Sequence, residues 1–250
     1  MSDRRRSCSV RLQRCLGRLT FFVLGGLVIS WLRWRRHYSI DQLARHRHYF
    51  AKLRQELRKS NTPLLVCANH LTMIDSIVLQ WSFGSFFHYL WRYSDFIWNV
   101  PAKEIFANNW YLKLFMYLSK CIPIDRWGAK EHHEEVMAKI EYVLKMGDPF
   151  LVFPEGGRSR TGRFNAEQLT YGVGRIMMVL PNAKVLCVYM RSHLQESHSD
   201  LPEKSSCFQL SYELIHPTTN QKGLRAERDL AVQIGNQLTE LENSYFKNKN

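Results

Sequence analysis

The chain has no G-x-S-x-G elbow, no C-x-x-C pair, and no stretch rich in proline, serine or glycine. Each absence removes a class of reading. Without the elbow there is no serine nucleophile of the hydrolase kind, so an attacking oxygen belongs to a substrate. The six cysteines, at 8, 15, 67, 121, 187 and 207, show no paired spacing, which fits a reduced, intracellular setting better than a disulfide framework. No internal repeat or low-complexity segment appears. With 250 residues and 45% hydrophobic content, the chain can bury a full core without a linker in its middle. Lysine is missing from residues 1–50 and acid nearly so. Eleven arginines against Asp3 and Asp41 place +9 of the formal +13 there, so this end faces an anionic surface or polymer. The body has no aromatic-interleaved RNA motif, which argues against nucleic acid.

Also lacking is an uninterrupted apolar run of spanning length. Between Arg18 and Arg33, the segment Leu19–Leu32 falls short of the roughly 20 residues of an ordinary spanning helix. It reads as an interfacial or half-inserted helix, with Trp31 and Trp34 at headgroup depth and arginines reaching phosphates. A cleaved signal peptide is the alternative, weakened by the absence of a small-residue cleavage site. A second helix, about Ile40 to Lys59, either lies beside the first on the membrane or packs one face on the body. His46 and His48 read as part of a basic surface.

What is present is concentrated in two loops. Asn69-His70-Leu71-Thr72-Met73-Ile74-Asp75 follows the apolar run Leu64–Ala68, which reads as a buried strand opening into a loop and helix. A histidine there can take a proton from a hydroxyl while a carboxylate five residues on fixes its tautomer. The second loop, Phe153-Pro154-Glu155-Gly156-Gly157-Arg158-Ser159, follows the apolar run Pro149–Phe153. Its glycines let backbone N–H groups approach an anion, Arg158 and Arg160 are forked donors suited to phosphate, and Glu155 is placed to hold one of the arginines. Each feature has a plainer reading: a buried structural histidine at 70, a helix N-cap at Asp75, surface-turn arginines at 158 and 160. Glu131-His132-His133-Glu134-Glu135 reads as a solvated helix start, since adjacent helical side chains diverge and cannot converge on one ion.

Together these motifs resemble the N-H-x-x-x-x-D and F-P-E-G-x-R-S blocks of the glycerophospholipid acyltransferase family. Between them, Cys121-Ile122-Pro123-Ile124-Asp125-Arg126 looks like that family's I-x-I-D-R segment, and Val100–Phe106 is similar to its K-x-E-L-like stretch. The resemblance covers roughly residues 63 to 189 in the expected order. It implies His70 and Asp75 as the catalytic pair and Arg126, Glu155, Gly156, Gly157 and Arg158 as substrate-binding residues. It also implies no metal and no cofactor, with acyl-CoA or acyl-carrier protein as co-substrate. Three departures bear on the acceptor. Gly157 replaces the usual threonine, Val185–Tyr189 lacks the usual proline, and Leu169-Thr170-Tyr171-Gly172 stands where Phe-Lys-x-Gly often opens a helix.

From Pro63 onward, short apolar runs alternate with helical stretches, the pattern of an α/β fold. Strands are expected at 64–68, 96–100, 150–153, 184–189 and 208–215, and helices at 76–93, 110–118, 130–145, 166–180 and 224–246. The expected architecture is a mixed sheet flanked by helices, with a basic membrane-associated leader at 1–60 and a catalytic domain at 61–250. The function implied is acyl transfer to a lysolipid hydroxyl, 1-acylglycerol 3-phosphate first, at the cytoplasmic face of a membrane whose lipids are the partners. Another hydroxylated lysolipid, such as a lyso-aminolipid, or a specialised biosynthetic intermediate is the second choice, and a non-catalytic basic membrane-binding protein the distant one.

Overall fold

The computed structural model describes residues 3–106 and 108–247. Helix α1 (Asp3–Ser30) continues through a π-helical turn, Trp31–Arg35, into β1 (Ser39–Ile40) and α2 (Leu43–Lys59). Then come β2 (Leu64–Ala68), α3 (Asp75–Phe83), α4 (Phe86–Trp91), β3 (Trp98–Asn99) and α5 (Trp110–Leu118). The chain closes with α6 (Lys130–Lys145), β4 (Phe150–Val152), α7 (Gly172–Val179), β5 (Lys184–Ser192), β6 (Cys207–Ile215) and α8 (Leu224–Lys247).

The strands form one mixed sheet in the order β1-β6-β5-β2-β4-β3. β2 to β5 run parallel, and β6 is antiparallel to β5. Every residue of β2 is buried because both faces of the sheet are covered. Leu65 and Cys67 pack with Val143, Ile176 and Ile234 of α6, α7 and α8. Leu64, Val66 and Ala68 pack with Phe50, Leu53 and Val78 of α2 and α3. A central parallel strand therefore reads as a continuous apolar run rather than an alternating one. The carboxyl ends of β2, β4 and β3 meet at one edge of the sheet, where α/β folds form their crevice.

Local chemistry cuts the expected elements shorter. The helix expected over 76–93 breaks at Gly84, whose backbone is extended, and restarts where Ser85 Oγ accepts the His88 N–H. A Cβ on Gly84 would sit 2.2 Å from the Tyr89 ring, so the break is also a packing requirement. The helix expected from 166 begins at Gly172, after one 3-10 turn. At the sheet edge β3 keeps only two residues, whereas β5 extends to Ser192 through its pairing with β6.

The leader differs most from expectation. Its arginines do not end the helix, and Arg4–Arg35 is long and apolar enough to cross a membrane by length and composition. Yet α1 is docked on the body. Gln13 Nε2 donates to the carbonyls of Tyr117 and Cys121, Phe21 packs among Tyr89, Tyr93 and Phe96, and Leu32 is fully buried. A Cβ on Gly17 would lie 2.5 Å from the Leu118 carbonyl, so glycine there permits the close approach. His46 also departs from its surface reading: it is 5% exposed, with Nδ1 3.3 Å from Tyr212 Oη.

Two buried carboxylates join the elements. Asp148 Oδ2 accepts from Trp98 Nε1 and from Lys120 Nζ and forms an ion pair with Arg14 of α1. Asp95 pairs with Arg54 and Arg58 of α2 and accepts from His88. Burial pulls the Lys120 ammonium down to about 8, and Asp148 works against that fall. Removing one member of such a pair strands the other charge, so Asp148→Ala should lose about 3 kcal/mol or more. Chemical denaturation in detergent measures it, and a loss under about 1 kcal/mol would show that the network carries little.

Candidate active site

The site begins one residue beyond β2. Asn69, buried, accepts the Met190 N–H at 2.7 Å through Oδ1 and donates to the Met190 carbonyl at 3.0 Å through Nδ2. A side chain thus extends the ladder to β5 and fixes where the loop leaves the sheet. The next residue, His70, stacks on Phe153 with ring centroids 4.1 Å apart and planes 13° apart.

The Asp75 carboxylate organises the loop. Its Oδ2 lies 2.9 Å from His70 Nδ1 and accepts the N–H groups of Leu71 at 2.7 Å and Thr72 at 2.8 Å, while Oδ1 accepts the Thr72 hydroxyl. Asp75 opens α3, but its carboxylate turns back to the preceding N–H groups, so the N-cap reading does not hold. With Nδ1 donating to a carboxylate, the His70 lone pair lies on Nε2. The His70 side chain is 19% exposed and that of Asp75 4%. The arrangement can accept a proton at Nε2 and stabilise the resulting imidazolium through Asp75.

The second loop is tied to the first by its backbone. Ser159 N–H donates to the His70 carbonyl at 2.8 Å. Glu155 Oε2 accepts the His70 N–H at 3.1 Å, and Oε1 accepts the Asn165 N–H at 3.2 Å. The expectation that Glu155 holds an arginine is therefore corrected: its acceptors serve the backbone N–H groups of His70 and Asn165. Burial pushes its carboxyl up to about 7, against the pull of the two N–H donors. Gly156 has φ +65° with the Thr170 side chain against it, whereas a Cβ on Gly157 would meet nothing within 4 Å. The second loop is open at Gly157.

Among the sequence-selected arginines, only Arg158 has a side-chain partner at this edge. Its Nη1 donates to the Ser199 carbonyl at 3.0 Å and to Asp200 Oδ1 at 2.6 Å. Arg160 is exposed. Arg126 is exposed too, held by its own N–H to Glu104 Oε1 at 3.3 Å. His132 and His133 fasten the Arg126 turn: Nε2 of the first accepts the Asp125 N–H, and Nε2 of the second donates to the Asp125 carbonyl. No metal-ligand cluster occurs among the described residues.

Sequence reasoning missed four contributors. Thr72, three residues before Asp75, is legible as a Thr-x-x-Asp pair, and Phe153 carries no local sign of its contact with His70. Arg191 and Asp200 carried no local signal. Arg191 is 5% exposed and donates to the carbonyls of Gly162, Gln195 and Glu196, which folds the segment after β5 over the arginine loop.

A cavity of about 510 Å³ abuts the site. Phe21 and Leu24 of α1, Ile77 and Trp81 of α3, and Phe115 and Met116 of α5 line it, with Met73, Ile74 and Asp200 on the side of the histidine loop.

A family model described as acyltransferase matches residues 50–191, more than half of the chain and both loops. No curated protein matches the chain.

The Glu155 carboxyl has a testable signature. Its folded pKa, about 7, lies above the ordinary 4.5, so the folded state binds more protons between these values and stability falls as pH rises through that window. Wild type should lose stability relative to Glu155→Gln from about pH 4.5 to about pH 7, with a constant difference above it. Denaturation midpoints across pH measure this, and parallel profiles would contradict the assignment.

Proposed function

The chain belongs to the acyltransferase family, and we propose that it moves a fatty acyl group from acyl-CoA or an acyl-carrier protein to the hydroxyl of a lysolipid at the cytoplasmic face of a membrane. The observation that carries this reading is the His70–Asp75 contact of 2.9 Å with Nε2 left as acceptor. As His70 Nε2 takes the hydroxyl proton, the acceptor oxygen attacks the thioester carbonyl. Collapse of the tetrahedral intermediate forms the ester, and the leaving thiolate takes the proton back from His70. Asp75 fixes the tautomer and stabilises the imidazolium, so no nucleophile of the enzyme is needed. Positioning and electrostatics at the reacting carbonyl supply the rest of the acceleration.

Arg158 receives the acceptor phosphate, in a pocket shaped by Gly156 and Gly157, and Glu155 positions the two loops. Arg126 is a more distant candidate for the same phosphate. The apolar cavity takes an acyl chain, since its lining is apolar and its volume lies in the range of lipid-sized ligands. The motif resemblance favours 1-acylglycerol 3-phosphate as acceptor, which would give phosphatidic acid. A second reading, an amine-bearing lysolipid, is favoured by the carboxylate of Asp200 beside Arg158.

Membrane lipids are the partner in this reading. Residues 1–60 supply membrane contact and 61–250 the chemistry, with further contact from the body. Leu19, Phe22, Val23 and Leu27 of α1 are exposed, as are Phe87 and Trp91 of α4 and Trp110 and Tyr111 of α5. α1 packs on both α4 and α5, so the three helices present one apolar flank, with arginines at the start of α1 for anionic headgroups.

Purified protein with labelled acyl-CoA and a lysolipid panel tests the chemistry through free thiol. His70→Ala should lower turnover at least about a hundredfold while remaining folded, and Asp75→Asn nearly as much. Undiminished thiol release by folded His70→Ala would sink the mechanism. Vesicle flotation tests the flank: Trp91→Glu with Trp110→Glu should release the protein from anionic vesicles in high salt, where wild type stays bound.

A further inference from the structure

We propose that Asp200 is a specificity-determining residue that directs this acyltransferase to zwitterionic lysophospholipids, the acceptor's phosphate meeting Arg158 and its ammonium meeting Asp200. The inference rests on the lysolipid reading above and narrows its acceptor.

It begins with how Arg158 is used. A guanidinium carries five N–H donors in a planar fork. Here Nη1 alone is engaged, by the Ser199 carbonyl and Asp200 Oδ1. Nη2 and Nε have no protein partner among the described residues, so a phosphate can be received on that side while the Asp200 contact persists. Asp200 likewise commits one oxygen. Its side chain is 75% exposed, against 31% for Arg158, and Oδ2 is free for a cation. One ion pair thus offers two unused edges, a donor edge and an acceptor edge.

The residue that carries the carboxylate is held in place when a phosphate arrives. Its backbone is fastened to the histidine loop, where Ser199 N–H donates to the Leu71 carbonyl and Met73 N–H to the Asp200 carbonyl. On one side Arg191 holds the carbonyls of Gln195 and Glu196, and on the other Arg36 and Tyr38 hold the Pro202 carbonyl. Asp200 therefore remains part of the surface that a headgroup meets. It lines the mouth of the apolar cavity together with Leu201, Met73 and Ile74, where the headgroup of a lipid with its chain in the cavity would lie.

Charge then discriminates. Arg158 and Asp200 sum to zero, and Arg160, though a cation, is exposed with no side-chain partner among the described residues to hold it at the pair. A phosphomonoester with close to two negative charges faces a carboxylate that repels it. A phosphodiester bearing an ammonium matches both members of the pair, because opposite charges are placed against opposite charges and the wrong ligand meets a like charge.

The test uses the full chain in mixed micelles with both labelled acyl-CoA and labelled acyl-carrier protein. Three acceptors are compared: 1-acylglycerol 3-phosphate, its ethanolamine phosphodiester, and its glycerol phosphodiester, which has the diester but no ammonium. Wild type should show its highest kcat/KM with the ethanolamine acceptor. In Asp200→Asn, whose amide oxygen still accepts from Arg158, the ratio of kcat/KM for the ethanolamine over the glycerol diester should fall about threefold, the size of one ion pair at an exposed site. The ratio is internal to one protein, so a general loss of folding or of chemistry cannot imitate it. A wild-type preference for the phosphomonoester, or a ratio unmoved by Asp200→Asn, overturns the proposal and leaves Asp200 as a support for Arg158. Absence of acyl transfer to all three acceptors from either thioester overturns the lysolipid reading itself, a result distinct from a failure of selectivity.

Discussion

A single buried carboxylate holds the candidate site together. Asp75 takes four donors, two from the backbone of the loop, one from Thr72 and one from His70, and each contact constrains a different degree of freedom. The two N–H bonds curl the chain between β2 and α3, the threonine hydroxyl locks the second oxygen, and what remains orients the imidazole. An anion so surrounded is well compensated for its desolvation, because charge-assisted hydrogen bonds replace water. The geometry of His70 is thus a consequence of how the loop satisfies its own backbone.

The second loop obeys the same logic. Glu155 and Ser159 join it to the first through backbone contacts, so an arginine on one and a histidine on the other keep a defined relation without touching. Deeper in the molecule, Asp95 and Asp148 repeat the device with cations. Burial raises Asp95, yet the bonds from His88, Arg54 and Arg58 prevail and hold it below the usual carboxylate range. Such networks favour one arrangement of elements over others more than they add stability. In this chain they set α1 and α2 against the strands that carry the site.

Much of this was legible in the sequence. The strands at 64–68 and 150–152 showed as apolar runs because the sheet is covered on both faces, and the helices at 110–118 and 130–145 stand where the alternation of apolar runs and helical stretches places them. The site showed where chemistry and turn residues coincide, at Asn69–Asp75 and Phe153–Ser159. What did not show was whatever depends on distant partners. Glu155 reads locally as a companion for arginine, but its partners are N–H groups brought by the fold. Asp200 has no motif at all, and the pinning of its segment by the histidine loop, Arg191, Arg36 and Tyr38 sets it beside Arg158. The leader misled for another reason: a run broken by arginines looks short by composition, whereas helix propagation passes through arginine without cost.

The cavity shares a wall with the flank of the protein, since Phe21 and Leu24 look inward from the same helix on which Phe22 and Val23 look outward. On the proposed reading, one turn of α1 is both the lining of an acyl-chain site and the edge of a lipid phase. A hydrocarbon chain passing beside that helix exchanges one dry environment for another, and so avoids the exposure to water that costs about 0.8 kcal/mol per methylene. For a fatty acyl chain, entry governed by such a partition would be a matter of sideways diffusion rather than of extraction, with the thickness of a single helix as the distance to be travelled.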